Sequence, residues 1–411
     1  MALGFAGWAD VRSRGPGLGS EAVLVEAVRR GDVRAAREAL LGGVSPESVD
    51  EGDGVTVLGL AARNDDEEMV RILLDAGAEV NGRSRGGLTA LMLAAGAGAH
   101  HAADALREGE AYVALRDEQG RSALDFAEEG AERHPDEPGY PMVVTDLERY
   151  FGKRAGFAEV MGRAIRFGDT DSDMWTRARW TLDGRADDET VEGAAEALNS
   201  SRAPERYFAA ELLGTFCLWN GSLRNGEHRM RQAVALLRGR LAVEEHPVVL
   251  ACVIRGPALQ AAFADYAREI MRHAGHPHPE VRAAVAYAAE GATDPKDREL
   301  LQALITLARD PYAEVRQNAV ATLAHLADWP PAVRTALRRA LHDPDPTVVH
   351  DAACALGHRD PERPLPFRAE QILVRHFLAQ SREGRYHSDA YRVIERWPVE
   401  HYWDVRDSLP E

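Results

Sequence analysis

The sequence has few cysteines, almost no lysine and no long apolar run, and each shortage excludes something. Three cysteines in 411 residues, Cys217, Cys252 and Cys354, lie far apart, each inside an apolar pattern. An odd count without short spacings argues against a disulfide framework or a cysteine zinc site. They read as small buried hydrophobes in a reducing, cytoplasmic compartment. No stretch approaches the ~18 consecutive apolar residues of a membrane span, so no membrane association is expected. The first 19 residues carry no apolar segment of signal-peptide type and read as a flexible leader with Trp8 its only large anchor. Lysine occurs twice, at Lys153 and Lys296, so nearly all positive charge is arginine. No phosphate-binding glycine loop, no G-x-S-x-G elbow and no Cys/His pair in motif context occurs. No catalytic residue, cofactor or metal site is therefore assigned.

What is present is the composition of a folded, soluble chain, 45% apolar and 28% charged, long enough for two to three folding units. The net charge of −17 is unevenly placed. Residues 20–133 hold 23 acidic and 12 basic side chains, whereas residues 134–411 hold 42 and 35. The first part should repel nucleic acid and attract basic partners. The second is near enough to neutral for its 33 arginines to form a local basic groove.

Internal repetition organises the first part. Residues 54–62 (GVTVLGLAA), 87–95 (GLTALMLAA) and 120–128 (GRSALDFAE) superimpose at a period of 33, aligning Thr56, Thr89 and Ser122, and Leu58, Leu91 and Leu124. A looser copy lies upstream at residues 27–43. The hydroxyls suit helix N-caps, the alanine pairs Ala61/Ala62 and Ala94/Ala95 allow close helix approach, and Gly77 suits a left-handed helix end. The pattern resembles the ankyrin repeat, with departures: its proline is Val57, Ala90 and Ala123 here, and its histidine is Gly59, Met92 and Asp125. The second helix of the third copy, near residues 100–106, looks one residue short. The resemblance implies a binding module that uses hairpin tips and inner helices.

Residues 132–141 hold three prolines and a glycine, which suggests a linker over residues 132–145. An ankyrin domain is then expected at 20–131 and a second domain at 146–411. In the latter, residues 279–289, 313–323 and 346–356 align through Val281, Val315 and Val348, with looser copies near residues 204 and 247. This resembles the HEAT or HEAT-like repeat over about residues 187–357. The resemblance implies that Asp310 and Asp343 cap helix starts and that Arg282 and Arg316 tie neighbouring repeats. Val349 replaces the arginine in the last copy. Trp397, Tyr402 and Trp403 would close the end of the stack as a helical cap. The expected fold is all-α, an ankyrin array followed by a HEAT-like α-solenoid.

Three clusters test this reading. Asp169, Asp171 and Asp173 imitate the opening of a calcium loop, but the sixth and twelfth positions are Met174 and Trp180, so an acidic turn is the better reading. His273, His276 and His278 have spacings a metal could use, yet fall in an inter-helix turn. Residues 174–181 interleave tryptophan with arginine, a pattern that can stack on bases, though core tryptophans with flanking surface arginines fit better.

These observations point to a non-catalytic scaffold or adaptor binding another protein. Its sharper form is an inhibitor, of immunity-protein type, engaging a basic partner. The alternative is a nucleic-acid-binding or DNA-repair protein using the groove of the HEAT-like half. A lyase or chaperone role rests on fold analogy alone. Candidate partner-binding residues are Asp53, Arg85 and Glu118 at hairpin tips and Arg63 and Asn64 at an inner helix end. Tyr287, Gln317, His325 and His350 are their counterparts on second helices of the second array.

Overall fold

The computed structural model describes residues 18–168, 170, 172–185, 187–218, 226–259, 264–290, 297–326, 329–359, 364–382 and 388–409. Trp8 in the leader, and Asp169 and Asp171 of the acidic turn, lie outside the described residues. The described chain is mainly helical, with one two-stranded hairpin, Val49–Asp50 with Val55–Thr56, and isolated bridges pairing Arg83 with Thr89 and Arg116 with Ser122. It divides into two compact units, Met1–Arg185 and Ala186–Glu411.

In the first unit, helices Val57–Arg63, Ala90–Ala97 and Ala123–Arg133 stack successively. Each begins at a hydroxyl cap: Thr56, Thr89 and Ser122 accept the backbone N–H groups of Gly59, Met92 and Asp125 at 3.1, 3.3 and 3.4 Å. Ala61, Ala62, Ala94 and Ala95 are fully buried, because only methyl groups fit where the helices meet. The outer helices Glu67–Asp75 and His100–Glu108 are both nine residues long. The third repeat is therefore not shortened; its alanines keep the helix register intact.

The proline-rich segment is not an unstructured linker. Helix Gly139–Leu147 occupies its second half, with Tyr140, Met142, Val143, Val144 and Leu147 buried, and supplies an outer partner to Ala123–Arg133. The prolines permit this because Pro138 is the N-cap and Pro141 lies in the first turn, where a backbone N–H has no intrahelical acceptor. Helices Phe157–Phe167 and Asp173–Arg185 extend the unit. Trp175 is buried, as a core tryptophan should be, but Trp180 is 66% exposed. Arg177 is not a surface residue either: it pairs with both Asp104 and Asp146, joining three helices. Five positions, 500° of helix rotation, separate the two tryptophans, so they cannot share one face.

In the second unit an inner row of helices, Pro247–Arg255, Pro279–Ala288, Ala313–His325 and Pro346–Arg359, is backed by Ala264–Met271, Arg298–Leu307 and Pro331–Ala340. Val281, Val315 and Val348 are fully buried at equivalent places. Asn318 and Thr322 donate side-chain hydrogen bonds to the Ala283 and Ala286 carbonyls of the preceding inner helix, at 3.2 and 2.7 Å.

An arginine ladder joins the repeats. Arg282 grips Asp310 through two bonds of 2.7 and 2.9 Å, and Arg316 grips Asp343 through two of 2.8 Å. Each also donates to two carbonyls five and six residues earlier, His276 and Pro277, and Asp310 and Pro311. Arg206 repeats the arrangement on Ser200, Ser201 and Glu244. All three stand fourth in their helices, a register hidden in sequence because Arg206 directly follows a Pro-Glu pair without the intervening valine. Val349 holds that place in helix Pro346–Arg359 and is buried. Arg316→Ala should cost about 1.5–3 kcal/mol, the worth of charge-assisted bonds, read as a lower melting temperature by calorimetry.

The end of the stack is covered by helices Phe367–Arg382, Asp389–Ile394 and Val399–Asp407. Val393, Ile394 and Val405 are buried there; of the expected aromatics Trp397 and Tyr402 are half-buried, while Trp403 is 44% exposed beneath the Arg406 guanidinium. Trp403 and Val405 are two residues apart, so they point to opposite faces of the helix.

Candidate functional site

A cavity of about 350 Å³ lies in the second unit, where helices Ala313–His325 and Pro346–Arg359 meet Asp389–Ile394. Ala321, Ala324 and Ala355 form its floor, leaving room that larger residues would fill. His325, His350, Asp351, Cys354, Arg359 and Arg392 supply the polar wall.

A chain of bonds orders that wall. Gln317 donates to Asp351 at 3.2 Å, Asp351 meets His350 Nδ1 at 3.0 Å, and His350 Nε2 lies 3.5 Å from Cys354 Sγ. The His376 ring packs on His350 with centroids 4.1 Å apart. Arg359 donates to the Leu326 carbonyl and lies over the Trp329 ring. A Cys–His–Asp series has the order of a nucleophile, base and orienting acid. Burial, with the charges of Asp351 and Asp389, instead pushes the Cys354 thiol up to about 12, so it stays protonated at neutral pH. The wall is thus a set of fixed donors and acceptors suited to binding.

The sequence-derived candidates divide cleanly. His325 and His350 line the cavity and Gln317 braces it from beneath, although His325 also meets Glu290 at 2.9 Å. Tyr287 is 37% exposed and does not line the cavity. Asp351, Arg359 and Arg392 were not singled out from sequence; the i, i+1 relation of Asp351 to His350 was the available signal. His276 Nδ1 accepts the His278 N–H at 3.1 Å, a local bond that identifies the histidine cluster as a turn.

In the first unit Asp53, Arg63, Asn64, Arg85 and Glu118 are all exposed. Asp53 accepts the Val55 N–H and lies 3.3 Å from Arg63, so the tip and the inner helix end share an ion pair. Successive tips are stitched through the backbone: Arg85 donates to the Gly54 carbonyl at 2.8 Å and Glu118 to that of Gly86 at 3.1 Å. Asp50 and Asp117 are buried and hold the loops. Asp50 accepts the Gly52 N–H and pairs with Arg29, while Asp117 accepts the Gln119 and Arg121 N–H groups at 2.9 and 2.7 Å. The tips are therefore firm mounts for exposed acidic side chains.

Comparison with known proteins agrees with this architecture. A family model described as ankyrin repeats (three copies) matches residues 24–117, and one described as HEAT repeats matches residues 301–367. No curated protein matches the chain. No described helix is long and apolar enough to cross a membrane.

Proposed function

We propose that this chain, with ankyrin repeats followed by HEAT repeats, is a non-catalytic scaffold whose ankyrin array holds a basic protein, in the manner of an inhibitor. Both repeat families generally serve protein interaction. The observation that carries the finer reading is charge placement. Residues 20–133 hold 23 acidic against 12 basic side chains, and Glu51, Asp53 and Glu118 stand exposed on rigid tips. A field of one sign on a fixed surface accelerates association with the opposite sign and discourages phosphate backbones. In the HEAT unit Arg206, Arg282 and Arg316 are engaged in internal ion pairs, which leaves them unavailable to nucleic acid.

The test begins with capture of partners by the tagged full-length chain from its native host, with and without nuclease. A basic protein that survives nuclease is expected. Its affinity should fall about tenfold or more on combining Glu51→Lys, Asp53→Lys and Glu118→Lys, and should weaken with salt in the wild type. Recovery of nucleic acid alone, or equal binding by the reversed variant, would refute the proposal.

A further inference from the structure

A second group of side chains in the first unit has no part in the surface proposed above. Helix His100–Glu108 begins at Ala99, which has no side-chain cap, whereas the outer helices Val33–Leu41 and Glu67–Asp75 are capped by Asp32 and Asp66. The missing cap is supplied by Asp65 of the preceding repeat, whose Oδ1 accepts the Ala102 N–H at 2.8 Å. Asp65 has φ +56°, one of two described non-glycine residues in the left-handed region. With one oxygen fixed by the helix, the other faces His100 Nδ1 at 3.9 Å. The His101 ring lies against that of His100, centroids 3.9 Å apart, and one ligating atom from each of Asp65, His100 and His101 falls within 4.8 Å of the others.

We propose that Asp65, His100 and His101 form a binding site for a divalent transition-metal ion, zinc being the best fit, with Asp173 as the outer carboxylate that orients His100. Two imidazoles and a carboxylate are the donor set such ions take with one position left for water. Tetrahedral ligands at ordinary bond lengths stand roughly 3.4 Å apart, so Asp65 and His100, 3.9 Å apart, need close by about half an ångström and the widest pair by up to about 1.4 Å, within the reach of side-chain rotation. His100 Nε2 is buried and has no hydrogen-bond partner, yet Asp173 lies only 3.6 Å from it. A metal on Nδ1 fixes the proton on Nε2, directed at Asp173, which is the usual carboxylate–histidine–metal relay. Two carboxylates offset the positive helix N-terminus. The nearby Arg177 is already paired with Asp104 and Asp146.

Calorimetric titration of the full-length chain with Zn²⁺, and absorbance titration with Co²⁺, test the site. One equivalent should bind, with tetrahedral Co²⁺ bands and a raised melting temperature. His101→Ala, at an exposed position, should weaken binding at least tenfold without unfolding the chain. Asp173→Asn should weaken it by roughly ten- to a hundredfold, and His342→Ala, at an exposed turn of the second unit, should change nothing. Absence of saturable binding at submillimolar metal would overturn the proposal. So would affinity unchanged in His101→Ala, or binding lost only on replacing His273, His276 or His278.

Discussion

Arg206→Ala should destabilise the second unit by about 3–5 kcal/mol, lowering its calorimetric transition by roughly 6–20 °C. The magnitude follows from what the substitution leaves behind. Glu244 is buried, and its carboxylate is held by Arg206 at 2.9 and 3.0 Å, by Arg240 at 2.7 Å and by the His246 N–H at 2.9 Å. Burial alone would raise the Glu244 pKa, but these donors outweigh it and hold the carboxyl at about 2. Removing the guanidinium strands a buried charge and also orphans the Ser200 and Ser201 carbonyls that it serves.

The same carboxyl gives a pH signature. Its pKa is depressed in the folded chain relative to about 4.3 in the unfolded one. Its contribution is therefore complete above that value and is lost as pH falls toward about 2. The wild-type chain should lose about 3 kcal/mol across this window from Glu244 alone. Glu244→Gln should be less stable at neutral pH but flatter with acid. Parallel acid profiles for the two proteins would contradict the assignment.

Tyr140→Ala should cost a comparable 3–5 kcal/mol in the first unit, the range for deleting a large buried ring. Tyr140 is 6% exposed and lies over two glycines: a Cβ on Gly130 would sit 2.2 Å from its ring, and one on Gly98 3.1 Å. Its outer edge stacks on His134, centroids 5.4 Å apart. Gly130→Ala should consequently destabilise the wild type by about 1–3 kcal/mol through overpacking. In the Tyr140→Ala background it should be neutral or gain up to about 1 kcal/mol, since alanine favours a helix over glycine. A thermal double-mutant cycle measures the coupling, and additive effects would show that the ring does not occupy that gap.

Much of the fold was legible because repetition makes local patterns add. Thr56, Thr89 and Ser122 announced three helix starts, and Val281, Val315 and Val348 marked one buried position three times over. Arg282 and Arg316 were legible as ties between repeats, but Asp310 and Asp343, expected to cap helix starts, are instead the carboxylates those arginines hold; helix Ala313–His325 starts at Tyr312 with no side-chain cap. Where the period slips, so did the reading: Arg206 is offset by the loss of one valine and its partner is a glutamate 38 residues away. Of the cavity, His325 and His350 were visible as inner-helix residues, but no pattern joined Asp351 to Gln317 or brought Arg392 alongside.

The sequence by itself determined the repeat periods, the helix caps and the acidic bias, because these depend on residues within a turn or two of one another. Tertiary structure decided what the prolines between residues 132 and 141 would do, since only the gap over Gly98 and Gly130 makes burying Tyr140 worth the ordering of that segment. It also decided the company of Asp65 and His100, 35 positions apart in sequence. The stacking of one repeat on the next sets their separation, and side-chain order along the chain carries no measure of that distance.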